Sequence, residues 1–240
     1  MSMEKTGALS GPLAARIGRG TIRDRASVLK GRAGILANRI EARLFDLRHG
    51  TDTTGKVPTI ELDHVVGENA VHGTGYQAVN EAHFRHVMAS MAFPERSVFL
   101  DIGCGKGKAL LLAATYSFVA RAVGIEFGGA LCVAARRNVI TYAEGRKIAG
   151  KIEVLHQDAL CYDFEPDQNI LFMNNPFNAA LFSVFVDRVH ASIRKRPRPV
   201  WLLYANPAHS AVLDRHPGYR REALFRFFGP GRDIAVYGIG

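Results

Sequence analysis

An apolar run, Val98-Phe99-Leu100-Asp101-Ile102, leads directly into Gly103-Cys104-Gly105-Lys106-Gly107-Lys108. That order is the one expected of a buried strand, a glycine-rich turn and the start of a helix. Gly103 and Gly105 let the backbone turn tightly and let a ligand approach without meeting a β-carbon, and Gly107 lets the helix start close to the sheet. Amides at the helix N-terminus then face the ligand. Dinucleotide sites carry GxGxxG, whereas the spacing here is GxGxG, with an acid, Asp101, two residues before the first glycine. Such a carboxylate repels a pyrophosphate and suits an α-ammonium group. Glu126 closes a second run, Val123-Gly124-Ile125, where a carboxylate can accept both hydroxyls of a ribose, a position shared with NAD-binding folds. A third run delivers His156-Gln157-Asp158-Ala159, placing Asp158 where it could accept from an adenine amino group. Any one of these acids could be a solvated loop carboxylate. Three at successive strand ends form a stronger signal.

Other reactive side chains point to less. His83 and His86 have HxxH spacing, but no third ligand is apparent nearby, and no metal is expected. Cys104 lies in the glycine turn, where a small side chain fits, and no base partner for a thiolate is identifiable. Cys104, Cys132 and Cys161 cannot build a disulfide framework and form no CxxC pair, so a reducing cytoplasm is the expected setting. Arg194-Lys195-Arg196-Pro197-Arg198 reads as a solvated basic loop or an anion contact, and Asn206-Pro207 as a turn bordering the pocket.

The elements that must hold these residues follow from the patterning. From Ser97 onward, short apolar runs alternate with helix-length amphipathic stretches, the signature of a parallel sheet with crossover helices. Strands are expected over 98–102, 122–126, 152–156, 170–173 and 200–204, and helices over 106–116, 129–144, 179–194 and 208–215. Two further strands, 221–227 and 234–239, joined through Gly229-Pro230-Gly231, fit an antiparallel pair. The expected fold class is α/β: a Rossmann-like, doubly wound, mostly parallel seven-stranded sheet with an antiparallel C-terminal hairpin and a helical N-terminal arm. With 48% hydrophobic and 22% charged residues, the 240-residue chain can bury a sizeable core, which excludes disorder throughout. The longest uncharged run, 168–186, is broken by Asn174, Asn175, Pro176 and Asn178 and is not a membrane span.

Charge is concentrated at the N-terminus. Residues 1–50 hold ten Lys/Arg against four acids, which accounts for +6 of the formal +9. Val28, Ile35, Leu36, Ile40, Leu44 and Leu47 recur at roughly helical spacing, predicting an amphipathic helix over about 27–48. Two readings stand for it: a surface for RNA, acidic protein or lipid headgroups, or a cap that lays its apolar face on the core with its arginines in solvent. The turn-rich residues 50–58 divide the chain into an arm, 1–57, and a catalytic domain, 58–240.

The glycine turn and the three strand-end acids resemble the first motifs of class I S-adenosylmethionine-dependent methyltransferases, with a similarity running from about Gly73 to the C-terminus. By that resemblance, Gly103, Cys104, Gly105 and Gly107 line the methionine and ribose side, Asp101 holds the methionine portion, Glu126 takes the ribose hydroxyls, and Asp158 with Ala159 borders the adenine. Asn174-Asn175-Pro176-Phe177 is similar to the (D/N)PP(Y/F) motif of amino-directed methyltransferases: Asn174, Pro176 and Phe177 match, and Asn175 replaces the first proline. In that motif the first side chain and a nearby carbonyl accept hydrogen bonds from the target nitrogen, and the aromatic supports the target group. Gly73-Thr74-Gly75-Tyr76-Gln77 resembles a loop that folds over the cofactor's methionine end in a subgroup related to non-SET lysine methyltransferases, with Tyr76 as its key residue. The resemblance implies S-adenosyl-L-methionine as cofactor and direct methyl transfer to a nitrogen acceptor, a protein lysine or a small-molecule amine, by a soluble cytoplasmic enzyme. The acceptor and the oligomeric state are not read from it. The alternative is a cofactor-binding domain without turnover that holds nucleic acid or acidic protein through its basic arm.

Overall fold

The computed structural model describes residues 22–57, 76–148, 150–229 and 231–240, with side chains from Ala33 to Gly55 and from Tyr76 onward. Gly73, Thr74, Gly75 and Pro230 lie outside the described residues.

A seven-stranded sheet forms the centre. Its strands are β3 (Ser97–Ile102), β4 (Val119–Glu126), β5 (Ile152–His156), β6 (Gln168–Asn174), β7 (Val200–Ala205), β8 (Tyr219–Phe225) and β9 (Ile234–Ile239), in the spatial order β5-β4-β3-β6-β7-β9-β8. The first five pair in parallel, and β9 runs antiparallel to both β7 and β8, so six strands share one direction. This is the Rossmann-like doubly wound arrangement with an antiparallel C-terminal hairpin that the sequence predicts. β3 is buried along its whole length, as a continuous apolar run in a sheet covered on both faces must be.

Side chains alternate between two core layers. Leu100, Ile102, Val123, Ile125, Leu171 and Met173 meet α5 (Ala179–Lys195) and α6 (Ser210–Arg215). Phe99, Ala122, Ile170 and Phe172 meet α2 (Glu81–Ser90), α3 (Lys108–Ala113) and α4 (Gly129–Ala143) on the other face. α5 buries Phe182, Phe185, Val186, Val189 and Ile193 at helical spacing and is capped by Asn178, whose side chain accepts from the Leu181 N–H at 3.0 Å. Between β3 and β6 the winding reverses: β4 and β5 are laid down on one side of β3, β6 and β7 on the other. The crevice outside the carboxyl ends of these two strands is where open α/β sheets take ligands.

The arm departs from the cap-helix expectation. α1 (Ile22–His49) is helical, but the face turned to the domain carries Gly34, Asn38, Glu41, Phe45 and His49. Phe45 is buried against Tyr142, whereas Ile35, Leu36, Ile40, Leu44 and Leu47 are exposed. The reason is polar: Asn38 accepts from Asn80 at 2.8 Å, and Glu41 accepts from Lys108 at 2.9 Å, which orients the helix by its hydrogen bonds rather than by its leucines. After α1, β1 (Lys56–Val57) pairs antiparallel with β2 (Tyr76–Gln77), a small ribbon separate from the main sheet.

Candidate active site

The turn after β3 has left-handed backbone at Gly103 (φ 74°) and Gly105 (φ 55°), and at Gly107 (φ 84°), which caps α3. L-residues rarely adopt that region. The N–H groups of Gly103 and Cys104 both donate to the Ile125 carbonyl at 2.9 Å, which ties the turn to the tip of β4. At Gly105 the space is as restrictive as the dihedral, because a β-carbon there would overlap the Tyr76 ring. Cys104 is buried beside the Gly124 backbone, and burial raises its thiol well above the ordinary range, so it is a packing residue rather than a nucleophile.

Asp101 and Glu126 emerge from adjacent strands onto the same sheet face, since Asp101 lies opposite Gly124 in register, two residues from Glu126. Both are buried. The Glu126 carboxylate accepts from the N–H of Gly105 and of Gly128, each at 2.8 Å. Burial raises its pKa, and these backbone donors partly offset the rise. Asp101 is pushed up well above the carboxylate range by burial and then by the neighbouring Glu126. Asp158 stands two residues beyond His156, the register partner of Glu126, and the intervening Gln157 N–H donates to the Glu126 carbonyl at 2.9 Å. The three acids therefore occupy three neighbouring strand tips. One oxygen of Asp158 caps the 3-10 turn Ala159–Cys161 by accepting from the Leu160 N–H at 2.8 Å, and Ala159 is buried in the α5 layer.

Over this floor lies a strap in which the sequence predicts Tyr76 but not its partners, Asp46 and the residues from Thr51 to Thr54. The Tyr76 hydroxyl donates to the carbonyl of Thr53, itself fully buried, at 2.8 Å. Asp46 holds the strap's shape by accepting from the Thr51 hydroxyl, the Thr53 N–H and hydroxyl, and the Thr54 N–H. Lys106 of the glycine turn donates to Asp52 at 3.0 Å and to the Thr54 carbonyl at 2.9 Å. Asn138 of α4 bridges the Asp52 and Lys106 backbones at 2.8–2.9 Å. Besides Tyr76, Lys106 within the glycine motif is the strap's visible sequence signal, and its partner Asp52 lies 54 residues away in the chain.

Beside Asp101, Asn174 ends β6 on the same face, and its Nδ2 donates to the Gln77 carbonyl at 2.9 Å. Asn174 lines a polar cleft with Asn38, Gln77, Asn80, His83, Asn206 and Arg232. His83 stacks on Phe227 at 3.8 Å, and burial with Arg232 nearby lowers its pKa to about 4, so it is neutral in neutral solution. Asn175 has φ 47° and its Oδ1 accepts from the Tyr204 hydroxyl at 2.6 Å. Proline cannot adopt that dihedral, which accounts for the departure from the doubled proline. The turn then sets Pro176 against Gly103, where an added β-carbon would lie 3.0 Å from the Pro176 β-carbon. Phe177 is carried away from Asn174 to pack on Phe185 of α5, with ring centroids 5.4 Å apart. Asp101, Glu126, Tyr76, Asn174 and the glycine turn are thus grouped, Asp158 is adjacent, and Phe177 stands apart. Among the described residues no cluster of His, Cys, Asp and Glu could hold a metal ion.

No protein-family model and no curated protein matches the sequence. Solved structures do resemble it. TrmN from Thermus thermophilus has a TM-score of 0.52 at 20% identity, over 68% of this chain and 49% of that one. The mitomycin 7-O-methyltransferase MmcR has a TM-score of 0.51 at 13% identity, over 67% and 54%. A protein of the NADB-Rossmann superfamily from Streptococcus agalactiae has a TM-score of 0.52 at 14% identity, over 69% and 70%. The chain spans about half the length of TrmN and of MmcR, and the likeness is one of fold.

Proposed function

We propose that this protein is an S-adenosyl-L-methionine-dependent methyltransferase of class I, working in the cytoplasm, with its cofactor site at the tips of β3, β4 and β5. The observation that carries this reading is the pairing of Asp101 and Glu126, two buried carboxyls on one sheet face around the left-handed turns at Gly103 and Gly105. The residues fit the group. A carboxyl raised by burial gains from a cationic partner, and an α-ammonium would relieve Asp101. Glu126, held by the backbone donors of Gly105, Phe127 and Gly128, keeps a lone pair for a ribose hydroxyl. Asp158 and Ala159 would border the adenine, while Gly103, Cys104, Gly105 and Gly107 shape the floor. Bound there, such a cofactor supplies a methyl group already activated by a sulfonium centre.

The chain's own residues then have to position the acceptor and exclude water. Tyr76, held over Gly105 through Thr53, covers the turn. Asn174 would orient the acceptor: its Nδ2 donates to the Gln77 carbonyl, and its Oδ1 would accept from the target group. We assign a nitrogen acceptor on the likeness of Asn174-Asn175-Pro176-Phe177 to the amino-directed motif, and one that reaches the cleft uncharged, because Arg232 and the amides of Asn38, Asn80 and Asn206 line it without a carboxylate among them. Pro176 closes the turn over Gly103.

Calorimetry with S-adenosylhomocysteine tests the reading. The wild type should bind with unit stoichiometry and Asp101→Ala should bind at least about a hundredfold more weakly, as loss of a buried charge contact entails. A wild-type chain that ignores this ligand would end the proposal.

A further inference from the structure

The stripe that α1 leaves uncovered carries a partner surface. Leu36, Ile40, Leu44 and Leu47 are 58%, 50%, 52% and 81% exposed and recur at i, i+4, i+8 and i+11, which makes a ridge about 16 Å long. Arg39 and Arg43 are exposed between them. Both acids among residues 33–49 are turned inward: Glu41 accepts from Lys108 and from the Glu81 N–H, and Asp46 is taken up by the threonines of the strap. The outward face of residues 33–49 is therefore aliphatic and cationic only.

Three occupants of an apolar ridge can be weighed by this charge pattern. A second copy laid ridge to ridge would set arginine against arginine with no acid to relieve it. A partner helix would need Arg43 in its seam, because Arg43 stands seven residues after Leu36 and three after Ile40, in line with both, where its guanidinium would be buried between helices. At a bilayer surface the same arginine extends to the headgroups while its aliphatic stem stays with the leucines. A convex ridge also suits a bilayer, which requires no complementary groove. We propose that α1 docks this protein onto anionic phospholipid, with Leu36, Ile40, Leu44 and Leu47 entering the acyl boundary and Arg39 and Arg43 meeting the phosphates. The inference is independent of methyl transfer.

Co-sedimentation of the full chain with vesicles tests it, using phosphatidylcholine alone and phosphatidylcholine with about a third phosphatidylglycerol. The wild type should pellet with the anionic vesicles and remain in solution with the neutral ones. Leu36→Gln/Ile40→Gln/Leu44→Gln and Arg39→Gln/Arg43→Gln should each weaken partitioning by about tenfold or more, and Arg194→Gln/Lys195→Gln should leave it unchanged. Circular-dichroism melts check that each variant is folded. If the triple variant is not, Leu47→Gln, the most exposed position, should still weaken pelleting severalfold. Absence of wild-type pelleting overturns the proposal, as does pelleting that survives the leucine changes, which would mark contact by charge alone. A wild-type dimer that the leucine changes dissolve would give the ridge to a second copy and overturn it equally.

Discussion

Lys108, the first residue of α3, is 1% exposed, and its ammonium lies 2.9 Å from the carboxylate of Glu41, 67 residues earlier on α1. The same ammonium sits over the Phe45 ring, 4.6 Å from its centre. A buried cation with one carboxylate partner makes the helix part of the domain. Removing that partner leaves the charge uncompensated, which costs about 3–5 kcal/mol. Glu41→Ala should lower the urea-unfolding free energy by about that amount, whereas Lys108→Met, which removes the buried charge itself, should cost clearly less. Equal losses would show that the pair matters only by packing.

Tyr76 and Gly105 should be energetically coupled. Gly105→Ala both strains a left-handed backbone and drives a methyl into the Tyr76 ring, so it should destabilise by about 1–3 kcal/mol. In a Tyr76→Ala background the steric part disappears and the strain remains. A double-mutant cycle by thermal denaturation should therefore give a non-zero coupling, and additive effects would refute the contact.

Cofactor affinity should depend on pH through Asp101. Its folded carboxyl titrates well above the ordinary value, so between the unfolded and folded pKa the native state holds a proton that the unfolded chain has lost. Stability from this group is complete below the unfolded pKa and falls as pH rises through the folded one. Binding of an α-ammonium favours the ionised form, so affinity for S-adenosylhomocysteine should rise with pH over the same window, with proton release. Calorimetry in buffers of different ionisation enthalpy measures that release, and Asp101→Asn should abolish it.

His83 acts with the opposite sign. Its pKa falls from 6.5 to about 4 on folding, so the unfolded chain takes up a proton first as pH drops. The stabilising contribution of neutral His83 is present above 6.5 and is lost as pH falls from there through about 4. Acid unfolding of His83→Phe, which keeps an aromatic face for Phe227, should begin at lower pH than that of the wild type.

The roles of Asp101 and Asn174 should separate kinetically. Asn174→Ala removes only the orienting amide, so S-adenosylhomocysteine affinity should change little while kcat falls by about 10–100-fold. Asp101→Ala should act on cofactor binding first. If Asn174→Ala weakens cofactor binding as much as Asp101→Ala does, the division fails.

Much of the fold was legible because its signals are local. Each strand from β3 to β7 is a short apolar run, and the turn after β3 declares itself by glycines that the backbone needs at positive φ. The grouping of Asp101 with Glu126 follows once their strands are neighbours. What escaped depends on long-range polar pairs. The apolar residues at helical spacing on α1 leave open whether the stripe faces the core or a partner, and Asn38 with Asn80 and Glu41 with Lys108 decide it by turning Ile35, Leu36, Ile40, Leu44 and Leu47 outward. Phe177 read as an acceptor support, but the left-handed turn at Asn175 delivers it to α5. The β1–β2 ribbon is two residues long on each side, too short to leave a periodicity.

Asp46 gathers three threonines into one knot, and a carboxylate accepting four bonds does not let its donors leave singly. The segment from Asp46 to Thr54 must consequently travel as a stiff bracket, carrying the tyrosine's anchor with it. Removing that one carboxylate would release all four donors together, so the bracket holds or fails as a unit.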